Sequence, residues 1–372
     1  MKVAIVGAGL VGRLLSLLLA KESQFDVSLF EKNALNYADA TGRIAASMIA
    51  PTAESVVASR DIVTMGHASL ALWPELLQAL QLTVDFQRQG SVILAHRQDE
   101  ADLRSFMQRV HLQQDEDLLE IDAQQLNQIE PELANHFSRI LFLPNEGQIE
   151  NSQLYQQTAS AILASSIQVY CQTEVKIDDA QISFNDERPK QKFDLVIDCR
   201  GLGAKGDMIN QLKVLRGVRG EVIRVKAPEV NLTRPVRLMH PRYPIYIVPK
   251  DNQEYVIGAT EIESQDDRPT SVRSALELLS AAYSVHKGFA EANIIAMQSG
   301  LRPTLNDNEP SIDVSQHHIQ VNGLYRHGYL LTPYILTQLL NVISAKTNLS
   351  LGFSQQQLPE ITSLIHYHET NH

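Results

Sequence analysis

The opening stretch MKVAIVGAGLVGRLLSLLLAKESQFDVSLFEKN leaves few folds open. Lys2 to Val6 is a short β-rich run suited to a buried parallel strand. Gly7, Gly9 and Gly12 follow with the spacing G-x-G-x-x-G. In such a turn the first glycine permits the tight bend and the second lets a pyrophosphate approach the backbone. The third lets the next helix pack close to the strand. A helix starting near Leu10 and Val11 would direct its free N–H groups and positive dipole end at that phosphate. A second strand, Val27 to Phe30, ends at Glu31, 19 residues after Gly12, near the position of an acid that accepts from a ribose. An acid there argues against a 2′-phosphate, hence against NADP, and leaves NAD and FAD both open.

The 372 residues suffice for two domains, and 44% hydrophobic with 20% charged residues is ordinary for a soluble enzyme. The formal net charge of -11 without a basic block argues against a nucleic-acid partner. Cys171 and Cys199 are the only cysteines, without ligand spacing. Neither a metal site nor a disulfide framework is expected, and a reducing, cytoplasmic setting fits. The run LVGRLLSLLLA is too short to span a bilayer and carries Arg13. It is expected to be a buried helix, not a signal peptide, and integral membrane association is not expected.

Further along, ATGRIAASMIAPTAES, with Arg43 near its start, is rich in small residues. Either a planar ligand lying on backbone or a close helix contact would need them. Helices are expected over Ile62 to Leu82 and Asp99 to Val110, and GSVILAHR reads as a strand. HLQQDEDLLEIDAQQL reads as a solvated face and linker. Asn151 or Ser152 is expected to cap a helix running to about Ser165. The strand Leu195 to Cys199 ends in Gly201 and Gly203, where backbone could approach a ligand or simply turn. From Leu215 the texture becomes strand-like, interrupted by one helix, Ser271 to Tyr283. The stretch NGLYRHGYLLTP leads into a last helix, Pro333 to about Ser344, and LIHYHETNH reads as a solvated tail.

Taken in order, VAIVGAGLVG with FEK, EGQIENSQL, DLVIDCRGLGA, GVRGEVIRV, YIVP, VIGATEIE, SGLRP and NGLYRHGYLLTP resemble the FAD-dependent D-amino-acid oxidase superfamily. Within it they resemble the glycine oxidases of thiamine biosynthesis, over roughly residues 1 to 345. The resemblance implies an α/β, Rossmann-like FAD-binding domain of the D-amino-acid oxidase type. Beside it stands a discontinuous α+β substrate domain built on a large antiparallel sheet with helices. The expected division is 1–85, 146–212 and 297–372 for FAD, and 86–145 with 213–296 for substrate.

The resemblance also implies FAD rather than NAD, held non-covalently, because neither cysteine stands where the family attaches its flavin. It puts Arg302 on the substrate carboxylate, Tyr246 closing on the same group, and Arg326 on the substrate side, where a loop-holding salt bridge is the alternative. Cofactor contacts are expected from Gly7, Gly9, Leu10, Val11, Gly12, Glu31, Lys32, Arg43, Ala45, Ala46, Ser47, Met48 and Val175. Gly201, Gly203, Arg302, His327, Gly328, Tyr329 and Leu330 complete that set, with His327 structural rather than a base. Glu261 is expected either in solvent or beside the substrate amine. The implied activity is oxidative deamination of glycine or another small amino acid with O2, giving peroxide. Two readings on the same cofactor stay open: a dehydrogenase passing electrons to a quinone or carrier, and a non-catalytic FAD-binding assembly protein. An NAD dehydrogenase is the third rival. A homo-oligomer is compatible with the sequence.

Overall fold

The computed structural model describes residues 1–112, 117–134, 136–137, 139–239 and 244–368. Two large sheets organise it. The first has seven strands in the order Ile365–Tyr367, Ser311–Val314, His318–Asn322, Leu195–Asp198, Lys2–Val6, Asp26–Phe30, Gln168–Tyr170. Lys2–Val6 pairs in parallel with Asp26–Phe30 on one side and Leu195–Asp198 on the other. The strand order therefore reverses beside it, which opens a crevice at its carboxyl end. Four of its five residues are buried, as a strand covered on both faces requires. Helix Leu10–Ala20 returns along the sheet with nine of its 11 residues buried.

The second sheet has eight strands: Asn293–Thr304, Arg216–Lys226, Glu254–Gly258, Ile245–Lys250, Val236–Leu238, Ser91–Leu94, Ile140–Leu143 and Leu119–Ile121. Its pairs are antiparallel except Val236–Leu238 with Ser91–Leu94. Helix Val272–Val285, capped by Ser271, buries Leu278, Ala281, Ala282 and Val285 in the apolar cluster that includes Ile223, Ile247 and Ile257. The mixed α/β and α+β architecture matches the expectation. Strand Asn293–Thr304 pairs in the eight-stranded sheet over its whole length, so it crosses the expected boundary at 296/297. Among the described residues no helix is long and apolar enough to cross a membrane.

Several local expectations need correction. The last helix runs Gly328–Thr347, five residues ahead of Pro333. Proline in a helix interior leaves the carbonyl four residues back without its N–H partner. That carbonyl, on Tyr329, accepts instead from Trp73 Nε1 at 2.9 Å. Helix Asn151–Ala164 is capped by Glu150, whose carboxylate accepts from Ser152 N, and Asn151 is already helical. The expected linker lies partly outside the described residues, at 113–116. Its remainder forms the edge strand Leu119–Ile121 and helix Ala123–Ile129, closed by a capping box between Asp122 and Gln125. The expected solvated tail is structured to His368: Ile365–Tyr367 pairs with Ser311–Val314, and His368 bonds Asp313.

Candidate active site

A cavity of about 920 Å³ is walled by residues of both large sheets. That volume fits a cofactor-sized ligand. At one end lies the glycine turn. Gly7 has φ +100°, and a Cβ there would stand 2.7 Å from the Cys199 carbonyl oxygen. A Cβ on Gly12 would stand 1.9 Å from the Gly7 carbonyl oxygen, so this glycine serves helix–strand packing and does not line the cavity. A Cβ on Gly9 meets no protein atom within 4 Å, because it points into open cavity. No side chain caps helix Leu10–Ala20, and no acid stands in its first turn. Its free N–H groups are therefore a ready anion site beside Leu10 and Val11.

Glu31 borders the same end. Its carboxylate accepts from Ala8 N at 2.7 Å and Asn33 N at 2.9 Å, which fixes it while leaving lone pairs for a diol. Lys32 and Val175 border this region, and Gly201 and Gly203 close it on the side of strand Leu195–Asp198.

The long wall comes from the small-residue segment. The Asn151 amide donates to the carbonyls of Gly42, Arg43 and Ala45 at 3.2, 2.9 and 2.7 Å, pinning it. Both readings of its composition hold, at different residues. A Cβ on Gly42 would lie 2.1 Å from the Tyr155 hydroxyl, a packing need, whereas Ala45, Ala46, Ser47 and Met48 line the cavity. Ser47 sits in the left-handed region (φ +56°). Its hydroxyl donates to Ile149 O at 2.6 Å and accepts from Lys250 Nζ at 3.0 Å. Burial lowers Lys250 to about 8. Arg43 is not brought to the cavity; its guanidinium donates to Asn36 O at 2.8 Å.

A second open helix start faces the cavity. His327 occupies the cap position of Gly328–Thr347 without a side-chain capping bond, and a Cβ on Gly328 meets nothing within 4 Å. Tyr329 and Leu330 continue this wall. Burial pushes His327 down to about 4, against the pull of Glu54, so its imidazole is neutral at neutral pH.

Among the described residues the polar end gathers three guanidinium groups. Arg302 donates to the carbonyls of Arg219 and Thr260 at 3.2 and 3.1 Å. Among the described residues no carboxylate forms an ion pair with it. Burial pulls it below its usual value, as befits a charge lacking a local counter-ion. Tyr246 borders the cavity too, its phenol raised by burial despite Arg302, Arg326 and Arg237 nearby. Arg326 reaches the cavity already paired. Its Nη1 meets Glu261 at 2.6 Å and its Nη2 meets Glu54 at 3.0 Å. Burial works against its charge, but the two carboxylates outweigh that and raise it. Glu261 is exposed, as the first of its two expected placements has it, but it is not unpaired: its other oxygen accepts from Tyr325 Oη at 2.6 Å.

Glu54 and Arg237 were not anticipated. Glu54 ends the short helix Pro51–Glu54 and is 7% exposed. Burial opposes its charge, yet Arg326 and Arg237 hold it well below the usual carboxylate range. Arg237, on strand Val236–Leu238, donates to it at 3.1 Å. The available signals were an acid closing the apolar run IAPTAE and an arginine between two core residues of a strand. Among the described residues no group of three or more His, Cys, Asp or Glu could hold a metal ion.

Comparison with known proteins gives the geometry a context. The sequence model of the family described as FAD dependent oxidoreductase matches residues 2–338. A Rhizobium etli protein provisionally named thiamine biosynthesis oxidoreductase ThiO is 35% identical over 333 residues, 90% of this chain and 93% of that protein. Glycine oxidase of Geobacillus kaustophilus is 27% identical over 358 residues, 91% of each. The crystal structure of glycine oxidase from Bacillus cereus superimposes with a TM-score of 0.78 at 22% identity, covering 92% of this chain and 97% of that one.

Proposed function

The chain belongs to the FAD dependent oxidoreductase family, and from that premise we propose that it oxidatively deaminates glycine or another small amino acid. Glycine, water and O2 would give glyoxylate, ammonia and hydrogen peroxide, by way of an imine that water hydrolyses. By analogy with the ThiO-named relative, the product would serve thiamine biosynthesis. The observation that carries the reading is Arg302: a guanidinium on the cavity wall, unmatched by any carboxylate among the described residues. A half-buried cation of this kind, without a carboxylate of its own, calls for an anionic ligand, and a planar fork suits a carboxylate held by two hydrogen bonds.

The residues present fit the cofactor. The turn at Gly9 and the open start of helix Leu10–Ala20 would hold the pyrophosphate, and Glu31 the ribose diol. The segment Ala45 to Met48 and the start of Gly328–Thr347 would flank the ring system. Attachment is non-covalent on this reading: Cys171 is off the cavity wall, and burial raises the Cys199 thiol far above its usual value, making it a poor nucleophile. FAD, when bound, supplies the two-electron acceptor. The chain's own residues then orient the substrate. Arg302 anchors the carboxylate and Tyr246 donates to it, which fixes the α-carbon against the flavin. Arg326, tied to Glu54 and Glu261, acts by holding the loop before the last helix. The FAD-binding unit is assigned to 1–85, 146–212 and 297–372, and the substrate unit to 86–145 and 213–296, except that strand Asn293–Thr304 goes whole with the substrate unit's sheet.

The test is peroxide yield from the yellow holoenzyme with glycine, sarcosine, D-alanine and D-proline. One peroxide per amine consumed is expected from at least one of them. Turnover with an artificial dye but no peroxide would replace the oxidase by a dehydrogenase. No turnover under either condition would overturn the amine-oxidising reading.

A further inference from the structure

Among the described residues, three guanidinium groups and two carboxylates gather at the polar end of the cavity: Arg302, Arg326, Arg237, Glu54 and Glu261. Their formal sum is a single positive charge, and the ion pairs say where it resides. Glu261 and Glu54 both meet Arg326, and Glu54 also meets Arg237. Arg302 is the one of the three without a carboxylate among the described residues. Building on the reading of Arg302 as the carboxylate anchor, we propose that Glu54 determines specificity. By neutralising Arg237 and sharing Arg326, it restricts the site to ligands with one acidic group and turns away those with two.

The geometry supports this in three respects. Glu54 is buried on the cavity wall, so its charge is little screened by water. A second acidic group in the ligand would face that carboxylate, and like charges in a buried site repel strongly. Arg237 is a latent anion site: it is 7% exposed, lines the cavity, and its Nε has no hydrogen-bond partner among the described residues. Among the described residues only Glu54 forms an ion pair with it. The neighbouring Glu146 uses its oxygens on Ala53 N and Ser91 Oγ and lies off the cavity. Removing the Glu54 charge would therefore expose an unmatched guanidinium to the cavity, where a second carboxylate could satisfy it.

The experiment titrates acetate and malonate into the holoenzyme at constant ionic strength, reading dissociation constants from the perturbed flavin absorbance. The wild type is expected to bind acetate at least about tenfold more tightly than malonate, the scale of one charged hydrogen bond lost. Glu54→Gln is expected to tighten malonate about tenfold to a hundredfold, with acetate within about threefold. Adding Arg237→Gln to Glu54→Gln should return malonate toward its wild-type value. A wild type that binds malonate as tightly as acetate overturns the proposal. So does a preference that survives Glu54→Gln unchanged, since it would be steric. Should Glu54→Gln purify without flavin, Arg237→Gln alone decides: it leaves Glu54 less matched and should weaken malonate severalfold more than acetate, and an unchanged ratio of the two overturns the proposal. Failure of the amine-oxidase reading looks different: acetate still ranks above malonate, but glycine and its analogues yield no peroxide.

Discussion

Gly9 and Arg302 carry the account at the scale of single residues, because each faces the cavity for a reason its neighbours do not share. A side chain on Gly7 or Gly12 would strike protein backbone, whereas one on Gly9 meets only open space. Gly9→Val is therefore expected to stay soluble and lose its flavin, and the flavin-to-protein absorbance ratio of the purified variant measures this. A full complement of flavin would move the pyrophosphate elsewhere. Arg302→Ala removes the protein's half of the charge pair proposed with the substrate carboxylate, which costs roughly 2–5 kcal/mol. The corresponding loss in kcat/KM is on the order of 30- to 4,000-fold, with flavin content unchanged. Lysine should rescue poorly, since it lacks the planar fork. The pairings that involve Glu54 were hidden from the sequence for a plain reason. Glu54 lies 183 residues from Arg237 and 272 from Arg326, and no local pattern links positions so far apart.

Among elements, the strand–turn–helix–strand unit at the amino terminus was legible because its hydrogen bonds, sterics and apolar pattern are all local. The last helix was misread for the converse reason. Pro333 looks like a first-turn residue, yet the helix runs through it because Trp73, on helix Arg60–Ala79, satisfies the carbonyl that proline leaves free. Trp73→Phe is thus expected to lower stability by about 1–3 kcal/mol, the cost of an unsatisfied buried carbonyl, measured as a shift in the urea midpoint. The start of the same helix carries a pH signature. His327 titrates near 4 in the fold against an ordinary 6.5. Between those values the unfolded chain takes up a proton that the folded one refuses. Stability from this group is complete above about pH 6.5 and falls as the pH drops toward 4. His327→Gln should flatten the pH dependence of the unfolding midpoint across that window. An unaltered slope would mean that the imidazole is not held neutral.

For the whole molecule, one cavity joins two sheets that share few local sequence signals, and a ligand filling it should stabilise both. Free FAD at a hundredfold excess over its dissociation constant is expected to raise the apoprotein's stability by about 2.7 kcal/mol, visible as a concentration-dependent melting temperature. The architecture could be read from the order of short motifs along the chain. The charge balance of the site could not, since it arises only when Pro51–Glu54, Val236–Leu238 and the loop before Gly328–Thr347 converge. The central claim is that this convergence leaves Arg302 to anchor the carboxylate of an amine oxidised at bound FAD. The most direct test is the anaerobic rate at which glycine or a small analogue bleaches the yellow holoenzyme, compared between wild type and Arg302→Ala. The account predicts bleaching of the wild type and a second-order rate lowered on the order of 30- to 4,000-fold in the variant. A wild type that stays yellow with every amine in the panel, or equal rates in the two proteins, would contradict it.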